Sequence, residues 1–143
     1  MQNARILVID DEPPFLEVLC EVLENKGYEV ASAGTAEKGL QLAERSSFDL
    51  VLCDVKLPGM SGLECLRQLH ASGTRPPFVA MTAYGGVESA VEAMKLGASD
   101  YLTKPFIFDD LVLRVQRILE HRPEGRVDRV HLEQADLVLG EQL

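Results

Sequence analysis

The sequence predicts an α/β protein built on a doubly wound, five-stranded parallel sheet. Three observations carry that expectation. Five short runs rich in β-branched and aliphatic residues alternate with longer stretches of helical period, which places helices on the faces of a parallel sheet. The run "DLVLC" (49–53) is apolar after its first residue, as a strand covered on both faces must be. Acidic, hydroxyl and basic residues follow directly after the runs, and the carboxyl ends of strands are where ligand sites form in such sheets.

The strands are predicted at "RILVI" (5–9), "YEVAS" (28–32), "DLVLC" (49–53), "PFVAM" (77–81) and "SDYLT" (99–103). A first helix starts at Pro13 and Pro14, since proline suits the first helical turn. Its stripe of Phe15, Leu16, Leu19, Val22 and Leu23 keeps a 3.6-residue period up to a stop at Gly27. Thr35 is an N-cap for a second helix through Leu40 and Ala43. The third runs from about Gly62, with Leu63, Leu66 and Leu69 on one face, and ends before Gly73. The fourth spans roughly Gly86 to Leu96 and stops at Gly97. The fifth starts near Asp109 and carries Leu111, Val112, Val115, Ile118 and Leu119. Val91, Met94, Leu111 and Val115 read mostly as core. After Arg122 the pattern breaks at Pro123 and Gly125, so 1–122 is read as one domain and 123–143 as a linker or the start of an interdomain helix, with no output domain following.

At 143 residues the chain is long enough for one domain with a sizeable core. Its 46% apolar and 26% charged residues are ordinary globular usage. The 23 acidic residues outnumber the 14 basic ones, for a formal charge of -9, and no basic cluster could neutralise a run of phosphates, so direct nucleic-acid binding is not expected. The apolar runs are of strand length, and "MQNARILVIDDE" reaches two acids before a signal-peptide core could form. A cytoplasmic protein without a membrane segment is the expectation. Cys20, Cys53 and Cys65 lack CxxC spacing and fall inside apolar patterns, which favours packed, reduced thiols.

The chemistry gathers after the strands. Asp10, Asp11 and Glu12 follow the first, Asp54 the third, Thr82 the fourth, and Thr103, Lys104 and Pro105 the fifth. If the first and third strands are neighbours, three carboxylates share one pocket, and they repel unless a cation sits among them. Hard oxygen ligands with open positions suit Mg2+, with Mn2+ also possible. Asp54, expected to face solvent there, can attack phosphorus to form an aspartyl phosphate while a lysine such as Lys104 neutralises the phosphoryl oxygens. Thr82 could donate its hydroxyl to the new group, and the small Ala83 leaves the approach open. Each residue alone has a plainer reading: paired acids cap helices, a strand-end aspartate makes turns, and lysines are solvated. Those readings give no reason for all four positions to fall at strand ends in this order.

The ordered set "VIDDE", "CDVKLPGMSG", "AMTAYGG" and "YLTKPF" resembles the receiver domain of bacterial two-component response regulators, over residues 4–121. The resemblance implies the flavodoxin-like receiver fold with strand order 2-1-3-4-5. It implies that Asp54 accepts a phosphoryl group from a sensor histidine kinase. Asp10, Asp11, the Asp54 side chain and the backbone carbonyl of Lys56 would hold the metal. Thr82, Ala83 and Lys104 would bind the phosphoryl group, with a cis peptide between Lys104 and Pro105. Tyr101 matches the aromatic switch position, and the fourth helix, fifth strand and fifth helix would form the face that meets an output domain, a partner protein or a second copy. Lys56 and Tyr84 occupy positions that tune dephosphorylation, and a bulky Tyr84 implies slow phosphate loss. The run "MTAYGGVESAVEAMKLGASDYLTKPF" is similar to receivers of sigma-54-dependent transcriptional activators, although no GxxxxGK[ST] loop and no helix-turn-helix follow.

Other classes are set against this. A phosphohydrolase of the haloacid-dehalogenase type also uses an aspartyl nucleophile, but it wants a second acid two residues later, where Lys56 stands. A flavodoxin-like cofactor binder needs a phosphate-cradling first loop, and "DDEPP" offers negative charge and missing amides. A degenerate receiver acting as a phosphate-independent docking or dimerisation module remains the alternative.

Overall fold

The computed structural model describes residues 3–83 and 86–121. The dephosphorylation role assigned to Tyr84 and the linker assigned to 123–143 therefore lie outside the described residues. Along the chain the elements are β1 (Arg5–Ile9), α1 (Pro13–Glu24), β2 (Glu29–Ala33), α2 (Ala36–Arg45), β3 (Leu50–Asp54), α3 (Gly62–Ala71), β4 (Phe78–Thr82), α4 (Val87–Lys95), β5 (Asp100–Thr103) and α5 (Phe108–Glu120). The strands form one parallel sheet in the order β2-β1-β3-β4-β5. Among the described residues no helix is long and apolar enough to cross a membrane.

Strands β2, β3 and β4 each sit one residue later than the sequence predicts. At β3 the Asp49 side chain takes the place of a backbone acceptor: its carboxylate accepts from the Arg5 N–H at 2.8 Å while its own N–H donates to the Arg5 carbonyl oxygen, and at β4 Pro77 has no N–H to give to a ladder. The shift makes Asp54 and Thr82 the last residues of their strands.

Alternation along the strands sorts the core into two layers. Ile6, Val8, Leu50, Leu52, Val79 and Met81 pack on one face with Leu19 and Leu23 of α1 and Leu111 and Val115 of α5. Leu7, Ile9, Val51, Cys53, Phe78 and Ala80 pack on the other with α2, α3 and Ala93 of α4. Polar caps fix where these helices begin: the Thr35 hydroxyl accepts from Lys38 N–H and the Ser61 hydroxyl from Glu64 N–H, both at 3.1 Å. The prolines of α1 occupy its first turn, as expected.

Two expectations about the core need correction. Leu111 and Val115 are buried, but Val91 is 49% and Met94 42% exposed. The nine-residue α4 packs through the small residues Ala90 and Ala93, which leaves the neighbouring larger side chains outside. The three cysteines are free thiols, Cys53 and Cys65 buried and Cys20 half-buried.

Candidate functional site

Register builds the site. Ile9 is paired with Cys53 across the β1–β3 ladder, so the next residues, Asp10 and Asp54, leave the sheet side by side. Thr82 is paired with Thr103 in the β4–β5 ladder, so Lys104 emerges one step beyond on the same rim. Positions 10, 54 and 104, far apart in sequence, thus meet over the carboxyl end of the sheet, with Asp11 on the loop beside them.

Carboxylate oxygens of Asp10, Asp11 and Asp54 all lie within 4.8 Å of one another. Asp10 is buried, Asp11 exposed and Asp54 only 8% exposed, so the carboxylate expected to face solvent is instead almost covered. There it meets the lysine: Lys104 Nζ donates to Asp54 Oδ2 at 3.0 Å and to Asp10 Oδ2 at 2.8 Å. Glu12, which sequence reasoning left out of the site, stands 3.5 Å from the same ammonium.

Backbone amides hold the two buried acids. Lys56 N–H donates to Asp54 Oδ1 at 3.0 Å, and Glu12 N–H donates to Asp10 Oδ1 at 2.9 Å, each a local turn closed by an aspartate. Burial pushes the Asp54 carboxyl above its ordinary pKa, against the hydrogen bonds and charge of Lys104, and the neighbouring Asp10 adds to the rise. Burial alone would lower Lys104, but its bonds to Asp10 and Asp54 outweigh it and hold the ammonium above the usual lysine range. Both effects follow from placing one cation among several acids in a partly dry pocket.

Thr82 is buried at the end of β4, and its hydroxyl donates to the Leu102 carbonyl oxygen at 3.4 Å; in this conformation it is directed to β5 and not to the carboxylates. Ala83 is exposed and shares a cleft of about 480 Å3 with Lys56, Thr82, Gly86 and Val87. The Lys104–Pro105 peptide bond is cis. Tyr101 lies on β5 with 41% of its surface exposed, beside an apolar groove of about 710 Å3 that it lines with Val87, Val91 and Met94.

Three features were not read from the sequence. Gly62 brings the start of α3 against β3: a Cβ there would fall on the Asp54 carbonyl oxygen and 2.9 Å from Val55 Cα. Arg114 grips both carboxylate oxygens of Asp100 at 2.9 and 3.1 Å and reaches the Tyr101 carbonyl at 3.3 Å. Phe15 places its ring against Lys104. Only the first had a signal, a glycine directly after a serine cap; the others depend on which helix faces which strand.

A 2-1-3-4-5 sheet with buried acids and a lysine at the reversal of strand order is the architecture of a signal-receiver domain. The response regulator receiver domain model matches residues 6–116, and the chain belongs to that family. It is 42% identical over 119 residues to the transcriptional regulatory protein ZraR of Escherichia coli K12, covering 83% of this chain and 27% of that one. It is 36% identical over 141 residues to the probable transcriptional regulatory protein TcrX of Mycobacterium tuberculosis, covering 98% of this chain and 60% of that one. The solved receiver domain of NtrX from Brucella abortus superposes with a TM-score of 0.78 at 33% identity, over 82% of this chain and 99% of that one. The chain thus spans 27% of the length of ZraR and is a two-component receiver domain similar to those of transcriptional regulators.

The donor set fits a divalent metal. Carboxylate oxygens of three residues lie within 4.8 Å of one another, Asp11 among them is exposed, and among the described residues Lys104 supplies the counter-charge to Asp10 and Asp54.

Proposed function

We propose that this domain is a phosphorylation-dependent switch in which Asp54 is the phosphoacceptor. The observation that carries the reading is the register-enforced meeting of Asp54 with Asp10 and with the Lys104 ammonium at 3.0 Å. Asp54 Oδ attacks the phosphorus of a phosphohistidine on a sensor kinase. The new O–P bond forms as the P–N bond breaks, and the electron pair leaves with the imidazole, which takes up a proton. Asp10, Asp11, the Asp54 side chain and the Lys56 backbone carbonyl hold Mg2+, or Mn2+ in its place; when bound, the metal neutralises charge on the phosphoryl oxygens. Lys104 is already charged and aimed, so it meets the incoming group without reorganisation. Thr82 turns its hydroxyl from Leu102 toward the phosphoryl group, with the Ala83 amide beside it. The cleft at Lys56 and Ala83 is the path by which donor and water arrive, and Lys56 and Tyr84 set how fast the phosphate is lost.

The readout is the α4–β5–α5 face. Phosphorylation biases two arrangements of that face, and the exposed Tyr101 moves into the adjoining groove as Thr82 turns. The occupant is an output domain, a partner protein or a second copy of the domain, in transcription regulation, and the domain itself resembles the receivers of sigma-54-dependent activators. This chain itself contacts neither nucleic acid nor membrane and works in the cytoplasm.

The test is intact-mass spectrometry after incubation with acetyl phosphate, with and without Mg2+, on the native chain and on Asp54→Ala. One added phosphoryl group that requires metal and disappears in the variant is the expected result. An unmodified native chain that also ignores beryllofluoride would leave a phosphate-independent docking module.

A further inference from the structure

Lys104 is held by more than its acids. Its Nζ lies 4.4 Å from the centroid of the Phe15 ring, while it also donates to Asp10 and Asp54. The side chain of Lys104 is 19% exposed, so this contact sits in a partly desolvated place, where attraction of an ammonium to the negative face of an aromatic ring is stronger than at an open surface.

The ring is itself fixed. Phe15 meets Phe106 edge-on, with centroids 5.8 Å apart and planes at 75°, and stacks on Phe108 at 6.1 Å and 29°. Phe106 and Phe108 close the triangle edge-on at 5.9 Å. Phe106 and Phe108 follow Lys104 closely in the chain, whereas Phe15 comes from the first turn of α1, so the triad ties the loop that carries the lysine to the helix behind the acidic loop. A lysine has four flexible methylenes and three rotatable donors, and two acids by themselves leave its ammonium free to slide between them. A rigid ring face on one side removes that freedom.

We propose that Phe15 is a positioning residue for the switch chemistry: its ring face holds the Lys104 ammonium beside the Asp54 carboxylate, where it meets the transferred phosphoryl group. The kinetic consequence rests on Asp54 being the phosphoacceptor; the contact does not. A ring that only packs would be insensitive to its own electronics, since fluorination barely changes its size but drains charge from its face.

The test uses the full chain with mono-, di- and trifluorophenylalanine incorporated at position 15, beside Phe15→Tyr and Phe15→Leu. Two readouts are taken. The first is the proton shift of the Lys104 ε-methylene, expected upfield in the native chain because it is bonded to the Nζ held over the ring, and back at its ordinary position in Phe15→Leu. The second is the rate of phosphoryl gain from acetyl phosphate at saturating Mg2+, expected to fall stepwise through the fluorinated series by about threefold to tenfold in all, with Phe15→Tyr near native. An unshifted ε-methylene in the native chain would remove the contact. Equal rates across the fluorinated series, with only Phe15→Leu slow, would reduce Phe15 to packing. Absence of any phosphoryl gain in the native chain would overturn the phosphoacceptor reading and the positioning role with it, while the ε-methylene shift would still report the contact.

Discussion

Asp54 and Lys104 are joined at 3.0 Å, yet the bond does not bring the Asp54 carboxyl down to an ordinary pKa, because burial raises it by more than the lysine lowers it. The molecule therefore keeps a carboxylate where its charge is costly. Such a conflict is expected where a site is built for a further cation and a further anion, and it sets the behaviour of the folded chain without either.

Replacement of Asp54 by Asn should stabilise the metal-free protein at neutral pH. A carboxyl whose folded pKa is raised contributes stability that is fully present below the unfolded value and is lost as pH rises through the folded one. The amide does not titrate, so Asp54→Asn should gain on the native chain as pH rises from the ordinary carboxyl range toward neutrality. Lys104 keeps Asp10 at 2.8 Å in the variant. Denaturant melts with a chelator present, at several pH values, measure this; an Asn variant less stable than native at pH 7 would contradict the sign.

Removal of the lysine should have the opposite effect, and metal should reverse it. Lys104→Met keeps most of the side-chain volume but leaves Asp10 and Asp54 facing one another without a counter-charge. A loss of about 1–3 kcal/mol is expected in chelator. Divalent metal at about a hundredfold over its dissociation constant adds about 2.7 kcal/mol by mass action, and should do so with a larger Tm rise in the variant than in the native chain. Asp11→Asn should blunt the rise in both. No Tm response to Mg2+ in any of these proteins would remove the metal from the site.

Gly62 is expected to be intolerant for a reason local to the site. A methyl group there meets the Asp54 carbonyl oxygen and Val55 Cα at 2.9 Å, both backbone atoms that cannot swing aside. Gly62→Ala should cost about 1–3 kcal/mol and weaken the Tm response to Mg2+, because the displaced backbone carries Asp54. Gly39→Ala is the comparison: its methyl would meet the side chain of the buried Ile9 and would not press on the backbone that carries Asp54, so it should lose stability by overpacking while its metal response stays nearer to native. An equally weakened metal response at the two positions would refute this distinction.

How far the sequence foretold the site depends on what kind of information each part needed. Asp10, Asp54 and Lys104 were legible because a parallel sheet turns position within a strand into position in space, and each residue stands directly after a strand. Strand-level register then did the rest: pairing Ile9 with Cys53 is enough to bring the acids together. The depth of Asp54 was not legible, since a residue at a strand end reads as exposed until the loops and side chains packed around it are placed. Phe15 was visible only as one member of an apolar stripe; that its ring meets Lys104 depends on the packing of α1 beside the β5–α5 loop. Val91 and Met94 misled because helical periodicity marks an apolar face without saying how wide it is, and α4 needs only Ala90 and Ala93 to pack.

That last point yields a test of the outer face. Val91 and Met94 are 49% and 42% exposed and line a groove with Tyr101, so they contribute little to the core. Val91→Lys with Met94→Glu should change stability by no more than about 0.5 kcal/mol, as surface substitutions do. Ala93→Leu, one position away but fully buried, should lose about 1–3 kcal/mol by overpacking. The double variant should still accept a phosphoryl group, because neither residue touches the acids. If the α4–β5–α5 face is where the signal leaves, sedimentation of the phosphorylated or beryllofluoride-treated chain should show self-association in the native protein that the double variant lacks. A native chain that stays monomeric in both states would direct the search to a partner protein or output domain. A double variant that unfolds would instead return these two side chains to the core.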